Sequence, residues 1–144
     1  MPLFVVENPA SPSAARWTAT FQSSAGAENF HVFEGSTPPA AAASSTWAAV
    51  SLTPPSPPPA KGDLYVVEER FDPPVDLSTA APENPNLSPC LQRHEVGWVV
   101  SYIAADGTQC RCVYRAADAE AVRAAYRSAG MPFARVWRAR AAGQ

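Results

Sequence analysis

Ten of the sixteen prolines in this chain of 144 residues fall within its first 60 positions. Proline lacks a backbone N–H and holds φ fixed, so a stretch this dense in it cannot form the interior of a sheet or helix. The chain therefore divides. Residues 1–60 are rich in Ala, Ser and Pro and carry few charges, whereas residues 61–144 hold ten basic and ten acidic side chains. TPPSPPPAKG, residues 53–62, reads as a polyproline-type spacer between the two.

Hydrophobic residues make up 47% of the chain, enough for a core, and the net charge is −2. A nucleic-acid partner would need a basic face, which this composition does not offer. No apolar run approaches the roughly 20 residues of a membrane span. MPLFVVENPA lacks a basic segment followed by a long apolar one, so no signal peptide is expected. Cys90, Cys110 and Cys112 are an odd set without an extracellular spacing pattern and read as reduced thiols of a cytoplasmic protein. Nucleophile motifs, phosphate loops and carboxylate pairs beside a histidine are absent from the sequence, and no cofactor is expected.

The second half alternates strand and helix signals. Leu64 to Val67 is a β-rich run stopped by Asp72-Pro73-Pro74. Ser88-Pro89 suits a helix start, and Leu87, Cys90, Leu91 and His94 share one stripe, which predicts a helix from Pro89 to Glu95. Val96 to Ala104 is a second strand. Asp106-Gly107 is a two-residue hairpin signal, and Thr108 to Arg115 is the third strand. Asp118 can cap a helix whose apolar stripe is Ala119, Val122, Tyr126 and Ala129, ended by Gly130 and Pro132. Phe133 to Trp137 is the fourth strand. This order predicts an α+β, ferredoxin-like β-α-β-β-α-β domain over 61–144: an open antiparallel sheet with two helices on one face.

The hairpin fixes an expected register. Ile103 faces Cys110, Ser101 faces Cys112 and Val99 faces Tyr114 on the helix side. Tyr102 with Arg111, Val100 with Val113, and Trp98 with Arg115 then share the open side. Trp98, Tyr102, Arg111 and Arg115 form an aromatic and cationic floor, which is either an interface or a ligand surface. Cys110 and Cys112, with Cys90 and His94 above them, have the composition of a soft-metal site, although C-x-C on a strand is not the usual chelate. Buried cysteines are more often core, so no metal is expected there. Glu68 and Glu69 are a candidate acid pair whose adjacent side chains point to opposite faces.

HEVGWVVSYIAADGTQCRCVYRAADAEAVRAAYRSAGMPFARVW, preceded by LYVVEERFDPPVD, resembles the small ferredoxin-like family labelled nickel-binding protein-like, a family of unknown function. The likeness covers roughly residues 64–138. It rests on W-x-x-S-Y, the D-G hairpin, C-x-Y and A-x-D-A-E-x-V-R. The resemblance implies a small cytoplasmic protein that dimerises through its sheet. In that family metal binding goes with a histidine in the second helix, where Ala125 stands here, so nickel binding is not carried over.

The first half echoes the second. Leu3-Phe4-Val5-Val6-Glu7 resembles Leu64-Tyr65-Val66-Val67-Glu68. A shift of 81 lays Trp17 on Trp98, Val32-Phe33 on Val113-Tyr114 and Ala40 to Ala49 on the second helix, with six identities between positions 17 and 52 (Trp17, Gly26, Val32, Ala40, Ala43, Ala48). Residues 1–60 are therefore either a degenerate first copy of the fold or an Ala/Pro-rich extension with a hairpin at Trp17–Gln22 and Asn29–Glu34. Trp98, Val100, Tyr102 and Val113 need cover. A homodimer through the open sheet face provides it in one case, an intrachain pseudo-dimer in the other, and the thin identity favours the homodimer. The expected function is a small non-enzymatic binding or assembly module. The alternative is a small oxygenase or isomerase working on an aromatic or anionic ligand at the open sheet face.

Overall fold

The computed structural model describes residues 2–8, 17–23, 29–35, 45–54, 61–77 and 87–141. Residues 55–60 of the spacer, the Pro82 and Pro85 segment, Gly26 and residues 40–44 lie outside the described residues. In chain order the elements are β1 (Leu3–Glu7), β2 (Ala19–Ser23), β3 (Asn29–Glu34), β4 (Ser45–Leu52), β5 (Asp63–Arg70), α1 (Ser88–Arg93), β6 (Gly97–Ala104), β7 (Gln109–Ala116), α2 (Ala119–Ser128) and β8 (Arg135–Ala141). No helix among the described residues is long and apolar enough to cross a membrane.

Local chemistry accounts for most of the second half. Asp118 caps α2 by accepting from the Ala121 amide at 2.8 Å. The buried face of α2 is Val122, Ala125 and Tyr126. α1 begins one residue earlier than the Ser-Pro signal implies, because Leu87 occupies the cap without a side-chain bond and Ser88 already lies in the first turn. The Asp106-Gly107 turn has only one left-handed position, Gly107 at φ +75°, where a Cβ would collide with the Val75 carbonyl. β8 runs on to Ala141 instead of stopping at Trp137, with Arg138 exposed on its outer side and Ala139 packed in the core. The stretch laid over α2 by the shift of 81 is in part the strand β4.

The expected open, ferredoxin-like α+β sheet is not what forms. All eight strands join one closed antiparallel barrel in the order β1-β3-β2-β8-β5-β7-β6-β4. The strands of the second half line up as β8-β5-β7-β6, and neither margin stays open. β2 pairs with β8 (Phe21↔Ala141) and β4 pairs with β6 (Ser51↔Tyr102), while β1 pairs with β4 to complete the ring. The reason is the apolar inner face: Val66, Tyr102 and Val113 pack against Val5, Phe21, Phe30 and Val32 of the first half. Closure also leaves none of the eight described strands as a free edge along its whole length. A second core lies outside the ring, where α1 and α2 cover Tyr65, Val67, Cys110, Cys112 and Tyr114.

The hairpin register holds at Ile103↔Cys110, Ser101↔Cys112 and Tyr102↔Arg111, then slips by one residue between Trp98 and Val100. Val99 is the extra residue of a β-bulge, so Trp98, not Val99, lies opposite Tyr114 and turns to the helix side. A bulge leaves no mark in hydrophobic alternation of this length.

On the outer side of the first half, His31 is buried beneath Trp17, with ring centroids 4.7 Å apart. Its Nδ1 lies 2.8 Å from Thr20 Oγ1 and its Nε2 3.2 Å from Asn29 Oδ1. An amide oxygen only accepts, so Nε2 carries the hydrogen and Nδ1 accepts from the Thr20 hydroxyl. Protonation would break that bond and bury a charge, and burial lowers the His31 pKa. The folded value lies below the unfolded one, so the contribution is intact above the ordinary 6.5 and is lost as pH falls through it. Urea midpoints taken about one pH unit either side of that value should therefore drop on the acid side. His31→Gln should flatten the slope, and an equal slope in both proteins would contradict this assignment.

Candidate metal centre

β5 and β7 are neighbours, with Glu69 opposite Cys110 and Val67 opposite Cys112. Alternation along a strand puts Glu69, Cys110 and Cys112 on the side facing the helices, while Glu68 points into the barrel. All three are buried, Glu69 at 4% exposure, Cys110 at 3% and Cys112 at 8%. Their donor atoms lie within 4.8 Å of one another. The two sulfurs are 3.5 Å apart, and Cys112 Sγ donates to Glu69 Oε1 at 3.7 Å.

Neighbouring elements hold this group in place. Tyr126 of α2 donates its hydroxyl to Glu69 Oε1 at 2.5 Å, and the Tyr114 hydroxyl lies 2.7 Å from it. From β6, Ser101 Oγ donates to Cys112 Sγ at 3.0 Å and accepts from Trp98 Nε1 at 2.9 Å. The bulge at Val99 brings Trp98 to this side of the sheet. The result is one hydrogen-bonded chain from Trp98 through Ser101, Cys112 and Glu69 to Tyr126 and Tyr114.

The surroundings of Glu69 and Cys110 disfavour their charged forms. Burial raises the Glu69 pKa against the lowering effect of its hydrogen bonds. The hydrogen bond to Cys112, and then burial, push the Cys110 thiol well up. Burial does the same for both tyrosines. A bound cation would reverse this balance, because thiolate and carboxylate are the ligating forms. Two thiols and a carboxylate suit a soft or borderline divalent ion. Donors that share an ion at bonds of ~2.0–2.3 Å stand about 3–4 Å apart, as Cys112 Sγ does from both Cys110 Sγ and Glu69 Oε1. A disulfide suits the pair poorly, since residues i and i+2 of a strand have Cα atoms about 6.7 Å apart and parallel Cβ vectors. All three cysteines are free thiols.

The other residues singled out from the sequence are dispersed. Cys90 is buried on α1 and His94 caps its end, 3.3 Å from Ser128 Oγ, and neither belongs to the close donor group. Tyr102 and Arg111 come together inside the barrel, where Phe21 and Phe30 pack on the Tyr102 ring with centroids 6.5 and 6.0 Å away. Arg111 pairs with Glu7, lies 3.9 Å from Glu68 and stands over the Trp47 ring at 5.8 Å. Trp98 is on the opposite face of the sheet. Arg115 is exposed and donates to the Gly62 carbonyl at 3.0 Å. The four do not share one floor.

Ser101 and Tyr126 were not read from the sequence as members of a site, and Glu69 was read only as half of an acid pair with Glu68, not as a partner of the cysteines. Glu69 lies in a Val-Val-Glu-Glu-Arg run that looks like the solvated end of a strand. Only its pairing with Cys110 reveals a buried carboxyl.

Residues 65–138 match the family described as SCO4226-like, nickel responsive protein SCO4226-like. The chain belongs to the SCO4226-like family. No curated protein and no solved structure matches it. The matched span includes Glu69, Ser101, Cys110, Cys112 and Tyr126, so the whole donor group lies in the part of the chain that the family defines.

Proposed function

We propose that the chain is a small non-enzymatic module that binds one soft or borderline divalent cation, foremost nickel, at Glu69, Cys110 and Cys112. The observation that carries this reading is the convergence of three buried donor atoms within 4.8 Å. The name of the family, nickel responsive, agrees with it. The missing histidine at position 125 counts against a histidine-based site only, because thiolates and a carboxylate supply other donors. An ion there would hold β5 to β7 and act on α2 through Tyr126, with no substrate and no reaction required. The barrel that supports the site is closed within one chain, which favours the single chain as the working unit.

Native mass spectrometry after exposure to Ni²⁺ tests this. One chain carrying nickel is expected, with the ion lost in Cys110→Ser/Cys112→Ser. Intact protein that takes up neither Ni²⁺ nor Zn²⁺ would refute the reading.

A further inference from the structure

The two halves of the barrel superpose in register. Advancing β1 by 61 residues (Val6 to Val67), β2 and β3 by 81 (Thr20 to Ser101, His31 to Cys112) and β4 by 90 (Trp47 to Trp137) converts each ladder of the first half into one of the second. Val6↔His31 becomes Val67↔Cys112 and Thr20↔His31 becomes Ser101↔Cys112. Val5↔Trp47 becomes Val66↔Trp137. The two seams exchange as well, since Phe21↔Ala141 becomes Tyr102↔Ser51. This is a two-fold relation inside one chain.

Under it six inward pairs are identical: Leu3 with Leu64, Val5 with Val66, Glu7 with Glu68, Val32 with Val113, Trp47 with Trp137 and Ala49 with Ala139, whereas Phe21 with Tyr102 and Phe30 with Arg111 differ. One side-chain hydrogen bond recurs too. Trp47 Nε1 donates to Glu7 Oε2 at 3.4 Å, and Trp137 Nε1 donates to Glu68 Oε2 at 2.8 Å. Three different advances hide this identity from any single shift of the sequence.

The outer face is treated differently. Cys112, Cys110 and Glu69 correspond to His31, Asn29 and Asn8, and Ser101 to Thr20. The hydroxyl contact survives, with Ser101 on the Cys112 sulfur at 3.0 Å and Thr20 on the His31 ring at 2.8 Å. The remaining contacts are neutral: His31 Nε2 to Asn29 Oδ1, and the Asn29 amide to Asn8 Oδ1 at 3.1 Å. An imidazole with both nitrogens engaged, beside two uncharged amides, offers a divalent ion no anionic ligand.

We infer that the chain is an internal duplicate whose first half carries a silenced counterpart of the metal centre, so that it binds one cation and not two. The count rests on the metal reading above, whereas the correspondence of the two clusters rests on register and identity alone.

Counting nickel per chain by native mass spectrometry tests the inference, with circular dichroism to confirm folding. The unaltered protein should hold one ion. Asn8→Asp/Asn29→Cys/His31→Cys, in which each new side chain is isosteric with or smaller than the old, should hold two. If that variant does not fold, Asn29→Cys/His31→Cys is counted in its place. Two ions on the unaltered protein, or one on a folded variant, would overturn the inference while leaving the metal reading standing. No ion on the unaltered protein would overturn the metal reading and the count together.

Discussion

Arg111→Met should lower the unfolding free energy by about 3–5 kcal/mol. The guanidinium side chain is 5% exposed inside the barrel, paired with Glu7 and 3.9 Å from Glu68. Glu68 keeps other partners, Arg135 Nη2 at 2.6 Å and Trp137 Nε1 at 2.8 Å. Glu7 loses its guanidinium partner, so the cost is that of a part-buried carboxylate deprived of a balancing cation. Total stabilities run to about 5–15 kcal/mol, which makes the loss large. Adding Glu7→Gln should restore much of it, because the carboxylate charge that Arg111 balanced is then gone. Arg138→Ala supplies the contrast: that pair with Asp63 is 59% and 50% exposed and should change stability by less than about 1 kcal/mol. Urea unfolding of the four proteins reads all of this, and an Arg111→Met loss no greater than that of Arg138→Ala would refute the assignment.

Tyr126→Phe should weaken nickel binding by about 10–100-fold, the usual range for a group that orients a metal ligand. The ring stays and the packing of α2 is retained, so the hydroxyl is the only loss. Without it Glu69 lacks its 2.5 Å donor and the Tyr114 hydroxyl its 2.7 Å partner. The metal-free protein should also lose about 1–3 kcal/mol. A structural role alone would produce the second effect and not the first. Competition titration against a chromophoric chelator, well below the unfolding temperature, separates them, and unchanged affinity would remove Tyr126 from the site.

The second half of the chain was legible because its signals are local. Asp106-Gly107 set the pairing of Ile103 with Cys110, and Asp118 set the start of α2. Barrel closure was not legible, because the strands that achieve it lie in Ala/Ser/Pro-rich sequence and pair with β6 and β8 across long stretches of chain. The shift of 81 lays β2 and β3 on β6 and β7, as the paired registers do, but it lays part of β4 on a helix, whereas register sets β4 on β8 with an advance of 90. The cysteine pair was visible, whereas its carboxylate partner was not. Glu69 joins the cysteines only once β5 lies beside β7, and Trp98 changes face only through a bulge that composition does not announce.

The ring of strands is not equally strong all the way round. β5 and β7 are joined by eight paired residues, whereas the seam between β2 and β8 has three and that between β4 and β6 has four. Local opening starts where the fewest bonds must break. The barrel should therefore breathe first at β2, whose ladders to β8 and β3 have three and four pairs, and along the seam between β4 and β6. Amide protons at the seams will exchange with solvent long before those between β5 and β7. During such an opening β8 and β6 present bare strand edges, each able to accept the matching strand of a neighbouring molecule. Built from two like halves, the ring carries in its shortest ladders a ready route to strand exchange between copies.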